Sequence, residues 1–128
     1  MQTALNYIKI TLATLFGIII NLLGGWDAAL QSLLTLTVLD FITGITTGIV
    51  NKNLSSVIAV RGIAKKIGIY TLIAVSVVGS TALGNEDLRS IIITFFIISE
   101  IISIVENWAE FGVIIPPNLK DFLGKFRK

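Results

Sequence analysis

Three carboxylates stand inside hydrophobic stretches of this sequence, where an ionised side chain is costly. Asp40 lies in the run that begins at Ala28, and Glu100 and Glu106 lie in the run IIITFFIISEIISIVENWAEF that follows Arg89. An acid within a membrane-spanning segment usually has a charged partner, a proton or a role in transport. The first functional question is therefore what these acids face.

The composition is that of a membrane protein. Of 128 residues, 54% are hydrophobic and 14% are charged, against about 25% charged residues in average soluble domains. The charges are clustered and leave long uncharged runs between them, which indicates several transmembrane helices. We predict an all-α integral membrane protein with a single domain over residues 1–128. Its four transmembrane helices are expected over about 5–25, 28–50, 63–83 and 87–115, with a short amphipathic helix over 118–128.

The absence of two residue types excludes much chemistry. The sequence holds no cysteine and no histidine. Disulfides are therefore excluded, zinc and iron–sulfur sites lack their usual ligands, and no nucleophile–base pair can use either residue. We predict no catalytic residue, no metal and no cofactor. The net charge of +2 is too small to indicate nucleic acid as a partner.

The basic residues predict the orientation of the chain, because Lys and Arg accumulate on the cytoplasmic side of the membrane. The predicted basic loop after the second helix, taken together with the start of the third helix, contains Lys52, Arg61, Lys65 and Lys66. The C-terminal tail carries four more basic residues, Lys120, Lys125, Arg127 and Lys128. Four crossings place this loop and the tail on one side, so both termini are predicted to be cytoplasmic.

Two predicted helices each carry a polar face. On the second helix this face consists of Asp40, Gly44, Thr47, Gly48 and Asn51. The Gly44-x-x-x-Gly48 pair permits close approach of another helix. On the fourth helix the face consists of Glu100, Ser103, Asn107 and Glu110, with Glu106 beside it. These faces are predicted to line a pore or to pack against other helices.

Asp40 and Glu100 are both expected near the middle of the membrane, and three interpretations of their role stay open. In the first interpretation, the two acids face a water-filled pore made by several copies of the chain. In the second interpretation they are protonated and form hydrogen bonds across helices, with candidate partners Thr37, Ser76 and Ser99.

The third interpretation pairs the acids with a lysine of the basic loop. Long lysine side chains can reach from the membrane surface towards a buried acid. The spacing favours this pairing for Glu106, which lies near the predicted cytoplasmic face. For Asp40 and Glu100 the same pairing with Lys65 or Lys66 requires a long reach.

The C-terminal segment has the pattern of a surface helix. Its apolar residues recur at helical spacing, at Leu119, Phe122, Leu123 and Phe126, and Lys120 and Lys125 stand between them. This pattern is typical of a basic amphipathic helix that lies on a membrane. A partly ordered, solvated tail is the alternative.

Two stretches carry a resemblance to a known family. One is LDFITGITTGIVNKNLSSVIAVRGIAKKIGIY, from Leu39 to Tyr70, and the other is SEIISIVENWAEFGVIIPPNLKDFL, from Ser99 to Leu123. In the order and spacing of their residues they resemble the toxin-secretion/phage-lysis holin family. The positions that match the family pattern are Asp40, Arg61, Gly62, Lys66, Glu100, Ser103, Glu106, Asn107 and Pro116.

The resemblance implies a phage protein of the host bacterial cytoplasmic (inner) membrane. Such a protein forms homo-oligomers and opens a lesion that releases a folded endolysin, which passes without specific binding. Some relatives are thought to export large toxins. The implied partners are membrane lipid, further copies of the chain and an antiholin. The alternatives are a small ion channel or transporter that uses Asp40 and Glu100, a non-lytic antiholin, and, least favoured, a membrane enzyme.

Overall fold

Five helices follow the apolar runs of the sequence. The computed structural model describes residues 1–126. Its helices are α1 (Gln2–Leu22), α2 (Ala28–Val50), α3 (Ser56–Leu83), α4 (Asp87–Glu110) and α5 (Pro117–Gly124). The first four are each long and apolar enough to cross a membrane, and residues 1–126 contain no strand. The predicted all-α fold with four spans and a short C-terminal helix is confirmed.

Side-chain caps determine where α2 and α3 begin. The carboxylate of Asp27 accepts a hydrogen bond from the backbone N–H of Leu30 at 2.9 Å. The hydroxyl of Ser55 accepts one from the N–H of Ile58 at 3.2 Å. Such caps satisfy N–H groups that have no partner within the helix. At the other end of α3, Gly84 adopts a left-handed conformation with φ of 66° and stops the helix.

Two boundaries of the predicted membrane-spanning helices differ from the prediction by five residues or more. Helix α3 begins at Ser56 rather than near residue 63, because Ser55 caps it and the residues that follow are apolar. Arg61 therefore lies on α3, Lys65 and Lys66 lie well inside this helix rather than at its start, and Lys52 remains in the α2–α3 connection. Helix α4 ends at Glu110 rather than near residue 115, and Gly112 with φ of 98° follows it.

Helices α2, α3 and α4 form the packed part of the molecule. Helix α4 packs along both of the others, and α2 and α3 contact each other less. Leu30 and Leu33 of α2, Ile73 of α3 and Ile93 of α4 belong to the buried apolar cluster. Helix α1 buries none of its residues within the described chain. It therefore lies at the margin of the three-helix bundle.

Helix α5 folds back against the end of α4. Leu123 is buried there, whereas Phe122 and Phe126 stay exposed with their ring centroids 5.3 Å apart. The predicted amphipathic segment is thus helical as far as Gly124. Its position on a membrane surface remains a prediction, and residues 127–128 of the predicted tail lie outside the described residues.

Candidate functional site: a charged cluster between three helices

A single lysine joins the three packed helices. The Nζ atom of Lys66 on α3 donates hydrogen bonds to Oδ2 of Asp40 on α2 and to Oε2 of Glu100 on α4. Asp40 is 8% exposed and Glu100 is 1% exposed. The two acids that the sequence placed in mid-membrane thus face each other across one ammonium group inside the bundle.

The helix boundaries explain why these three residues meet. Asp40 and Glu100 each lie about ten residues before the end of their helix, and Lys66 lies about ten residues after the start of α3. At a rise of 1.5 Å per residue, each is about 15 Å from the same end of the bundle. Because α3 runs antiparallel to α2 and α4, the three side chains arrive at one level.

The expectation that Lys66 lies far from Asp40 and Glu100 is wrong. It placed Lys66 in the basic loop at the start of the third helix, and the earlier start of α3 moves this residue further into the span. Two of the hydroxyls proposed as partners, those of Thr37 and Ser76, are engaged elsewhere. Ser76 donates to the carbonyl of Ile73 in its own helix at 2.6 Å.

Tyr70 provides a second link between α3 and α2. It lies one turn beyond Lys66, and its hydroxyl donates to Oγ1 of Thr37 at 3.0 Å. Thr37 in turn donates to the carbonyl of Leu33 at 2.8 Å. Each hydroxyl next to the ion pairs therefore has a hydrogen-bond partner, as is usual for buried polar groups.

The predicted polar faces of the second and fourth helices lie against each other. Nδ2 of Asn107 donates to Oγ1 of Thr43 at 2.9 Å and to Oδ1 of Asp40 at 3.3 Å. Thr47 donates to the backbone carbonyl of Asn107 at 3.2 Å. In the single chain these faces pack between helices, with Asn107 as the central contact.

The two glycines of the Gly44-x-x-x-Gly48 pair have different neighbours. A Cβ atom on Gly44 would lie 3.6 Å from Nδ2 of Asn107 on α4. A Cβ atom on Gly48 would lie 3.2 Å from Cβ of Leu54, in the α2–α3 connection. The pair therefore does not serve a single helix crossing.

The remaining predicted site residues are distributed around the cluster. Ser103 lines a cavity of about 220 Å³ together with Asp40, Lys65, Lys66 and Asn107. Glu106 lies at another cavity, between α4 and α5, which Lys120 also lines. Three of the other predicted site residues, Lys52, Arg61 and Lys125, are exposed and lie outside these cavities.

A second ion pair, which the sequence reasoning missed, lies at the opposite end of the bundle. Arg89 of α4 donates from Nε to the carbonyl of Leu23 at 2.7 Å and from Nη1 to Oδ2 of Asp27 at 2.6 Å. It also donates to the carbonyl of Gly25 at 3.2 Å. The hydrogen bond from Arg89 holds the pKa of the Asp27 carboxyl below its ordinary value, and the Leu30 N–H acts in the same direction. The one sequence feature that pointed to this ion pair is that Arg89 is a lone basic residue just after the acidic α3–α4 connection.

The charged cluster offers no site for a metal. Within residues 1–126 no group of three or more potential ligands could hold an ion, and the ammonium of Lys66 occupies the space between the carboxylates. The chemistry open to this arrangement is the holding of helices together and the exchange of protons.

Comparison with known proteins places the chain in a family. It is 39% identical over 125 residues to an uncharacterized 14.9 kDa protein in the nagH 3′ region of Clostridium perfringens, covering 96% of this chain and 95% of the relative. A protein of Halalkalibacterium halodurans is 34% identical over 119 residues, covering 88% of both chains. No solved structure matches. A model of the bacteriophage holin family matches residues 17–128, from the second half of α1 to the C-terminus, and the chain therefore belongs to the bacteriophage holin family.

Proposed function

We propose that this multi-pass membrane protein is a holin. It accumulates in the host cytoplasmic membrane, associates with further copies of itself and opens a lesion. A folded endolysin, or another large protein, leaves through that lesion as cargo and is not bound specifically. Membership of the bacteriophage holin family over residues 17–128 carries this proposal.

The distribution of surface supports assembly in a membrane. Helix α1 buries none of its residues fully in the described chain, so most of its surface is available to lipid or to another copy. Association of helices in lipid depends on close packing and hydrogen bonds rather than on the hydrophobic effect. The single chain retains its polar α2–α4 contacts inside, and we therefore assign first contacts between copies to the apolar outer faces.

The proposed orientation places both termini in the cytoplasm. Lys52 and Arg61 lie towards the same end of the bundle as α5, and basic residues favour the cytoplasmic side. Lys120 and Lys125 of the C-terminal segment would then face the anionic cytoplasmic leaflet, which attracts basic groups.

A small ion channel is the second candidate function. The cavity beside Asp40 and Lys66 is the observation that favours it, since polar groups in mid-membrane often mark ion pathways. A non-lytic antiholin is the third candidate, because a family member that inserts without opening has the same helices. The three candidates differ in the size of solute that crosses the membrane.

Size-graded release separates the candidates. The purified chain is reconstituted into liposomes that contain a small fluorescent ion, dextrans of increasing size and a folded endolysin. The holin proposal predicts release of the folded protein above a threshold density of the chain. Release of the small ion alone, at every density, would identify a channel, and retention of all solutes would favour an antiholin. A four-helix membrane protein of another family is the control for leakage caused by reconstitution.

A further inference from the structure

The charged cluster carries an unequal number of acids and bases. Its titratable groups are Asp40 from α2, Lys66 from α3 and Glu100 from α4, with Tyr70 one turn away on α3. Lys65 lines the adjacent cavity and is exposed. Two carboxylates and one ammonium leave a net negative charge when all three are ionised. An uncompensated charge inside a membrane protein is strongly unfavourable, and binding of one proton removes it.

The hydrogen bonds distinguish the two acids. Asp40 accepts at both carboxylate oxygens, from Lys66 at Oδ2 and from Asn107 at Oδ1. Glu100 accepts from Lys66 at Oε2 and is the more deeply buried of the two. Donors stabilise an ionised carboxylate, whereas burial stabilises a neutral carboxylic acid. The proton therefore belongs on Glu100, and Asp40 is the ionised partner of Lys66.

The cavity of about 220 Å³ provides a path for that proton. Asp40, Lys66 and Ser103 line it at the level of the cluster, and Leu54 and Ile58 line it near the α2–α3 connection. Ser103 lies one helical turn from Glu100 on α4. A cavity of this size, with the polar groups of Asp40, Lys66 and Ser103 on part of its wall, accommodates water molecules. We therefore infer that the cluster communicates with the aqueous phase at the α2–α3 end of the bundle.

We propose that the Asp40–Lys66–Glu100 cluster is a proton-binding site in which Glu100 carries one exchangeable proton. Lys66 lines the cavity and donates to Glu100, so its ammonium passes one proton to a carboxylate oxygen of Glu100 and takes another from water in the cavity. The proton returns by the same route, and no other bond changes. This site goes beyond the proposed lytic function and does not depend on it.

The state of this proton affects how firmly α3 is held. With the proton bound, the cluster is neutral and Lys66 bridges α2 and α4. Without it, one net negative charge is left at the junction of the three helices. The neutral cluster therefore holds the three helices together more firmly than the deprotonated cluster does.

Infrared spectroscopy tests the proposal directly, because the C=O stretch of a protonated carboxyl group is separate from the bands of a carboxylate. The full chain is reconstituted in lipid and its spectrum is followed from neutral to alkaline pH in H₂O and D₂O. We expect one protonated carboxyl group per chain at neutral pH, which shifts in D₂O and disappears at alkaline pH. A folded wild-type chain with no such band at neutral pH, or with a band that D₂O does not shift, would overturn the proposal.

Variants show whether this proton depends on the charge of the cluster. Glu100→Gln should abolish the band because it removes the group that carries the proton. Asp40→Asn should abolish it as well, because Glu100 then becomes the counter-ion of Lys66 and ionises. Glu110→Gln, at an exposed acid on the same helix, is the matched control and should retain it. Persistence of the band in either cluster variant contradicts the proposal, and the wild-type spectrum decides the question if a variant does not fold.

Discussion

The two groups of ion pairs in this molecule lie at different depths and have different structural roles. The Asp40–Lys66–Glu100 cluster is in the middle of the bundle, where Lys66 has a side chain only 13% exposed. The Arg89–Asp27 pair is at one end, where the side chain of Asp27 is 48% exposed. Water can replace a partner that is lost at the end of the bundle, but not one that is lost in its middle.

The exposed pair acts mainly on the backbone. Arg89 donates to the carbonyls of Leu23 and Gly25, which follow the last turn of α1 and lack partners within the helix. Its charge also suits the negative end of the helix dipole. Arg89 therefore shapes the α1–α2 connection, whereas Lys66 connects three helices through their side chains.

Removing the buried ammonium should have the largest effect. Lys66→Met leaves Asp40 without its cation, and loss of one partner of a buried ion pair costs about 3–5 kcal/mol. Chemical unfolding in detergent micelles measures this loss. Lys65→Met changes an exposed neighbour on the same helix and should alter stability by no more than about 0.5 kcal/mol. Equal stability of the two variants would show that the cluster does not hold the bundle.

A backbone change next to the exposed pair should have an intermediate effect. Gly24 has φ of 88°, and a Cβ atom there would lie 2.4 Å from Nε of Arg89. Gly24→Ala combines backbone strain with displacement of the guanidinium and should cost about 1–3 kcal/mol. Gly17→Ala is the control, because nothing lies within 4 Å of its Cβ position in α1. Thermal unfolding that shows Gly17→Ala to be less stable than Gly24→Ala would contradict this assignment.

A neutral contact next to the cluster should matter less than the charge itself. Asn107→Leu preserves approximate size but removes the donor to Asp40 and Thr43. Hydrogen bonds between membrane helices contribute about 0.6–2 kcal/mol, and we expect a loss of stability in that range. Asn51→Leu removes an exposed contact to Glu110 at 3.1 Å and should cost less in the same unfolding measurement.

The smallest effect concerns acid pH at the exposed pair. The pKa of Asp27 is held below its ordinary value of 3.8 by Arg89. Because the folded pKa is the lower one, the contribution of the ionised carboxyl is complete above 3.8 and is lost as the pH falls through the folded pKa. Exposure limits it to about 1 kcal/mol or less. Unfolding free energies of wild type and Asp27→Asn should converge as the pH falls. A difference in unfolding free energy that stays constant with pH would show that the ionised Asp27 carboxyl does not contribute to stability.

The sequence predicted much of the fold because the hydrophobic runs and polar faces are local patterns. The positions of Asp40 and Glu100 within their runs placed both acids near mid-membrane, and the faces that carry them do meet. Lys66 was assigned to the basic loop at the start of the third helix because residues 52–66 contain four basic residues and no acid. Only the Ser55 cap indicates the earlier start of α3. The contacts of Arg89 depend on the direction of two backbone carbonyls. This direction is set by the positive φ of Gly24 and Gly25 in the folded chain, and the sequence pattern does not indicate it.

A pair of double-mutant cycles measures most directly whether the buried cluster, and not the exposed pair, holds the helices together. The cycles combine Asp40→Asn with Lys66→Met and Asp27→Asn with Arg89→Ala, and each yields a coupling free energy from unfolding in the same micelles. We predict a coupling of about 2 kcal/mol or more between Asp40 and Lys66, and of about 1 kcal/mol or less between Asp27 and Arg89. Equal couplings, or the reverse order, would contradict the central role of Lys66.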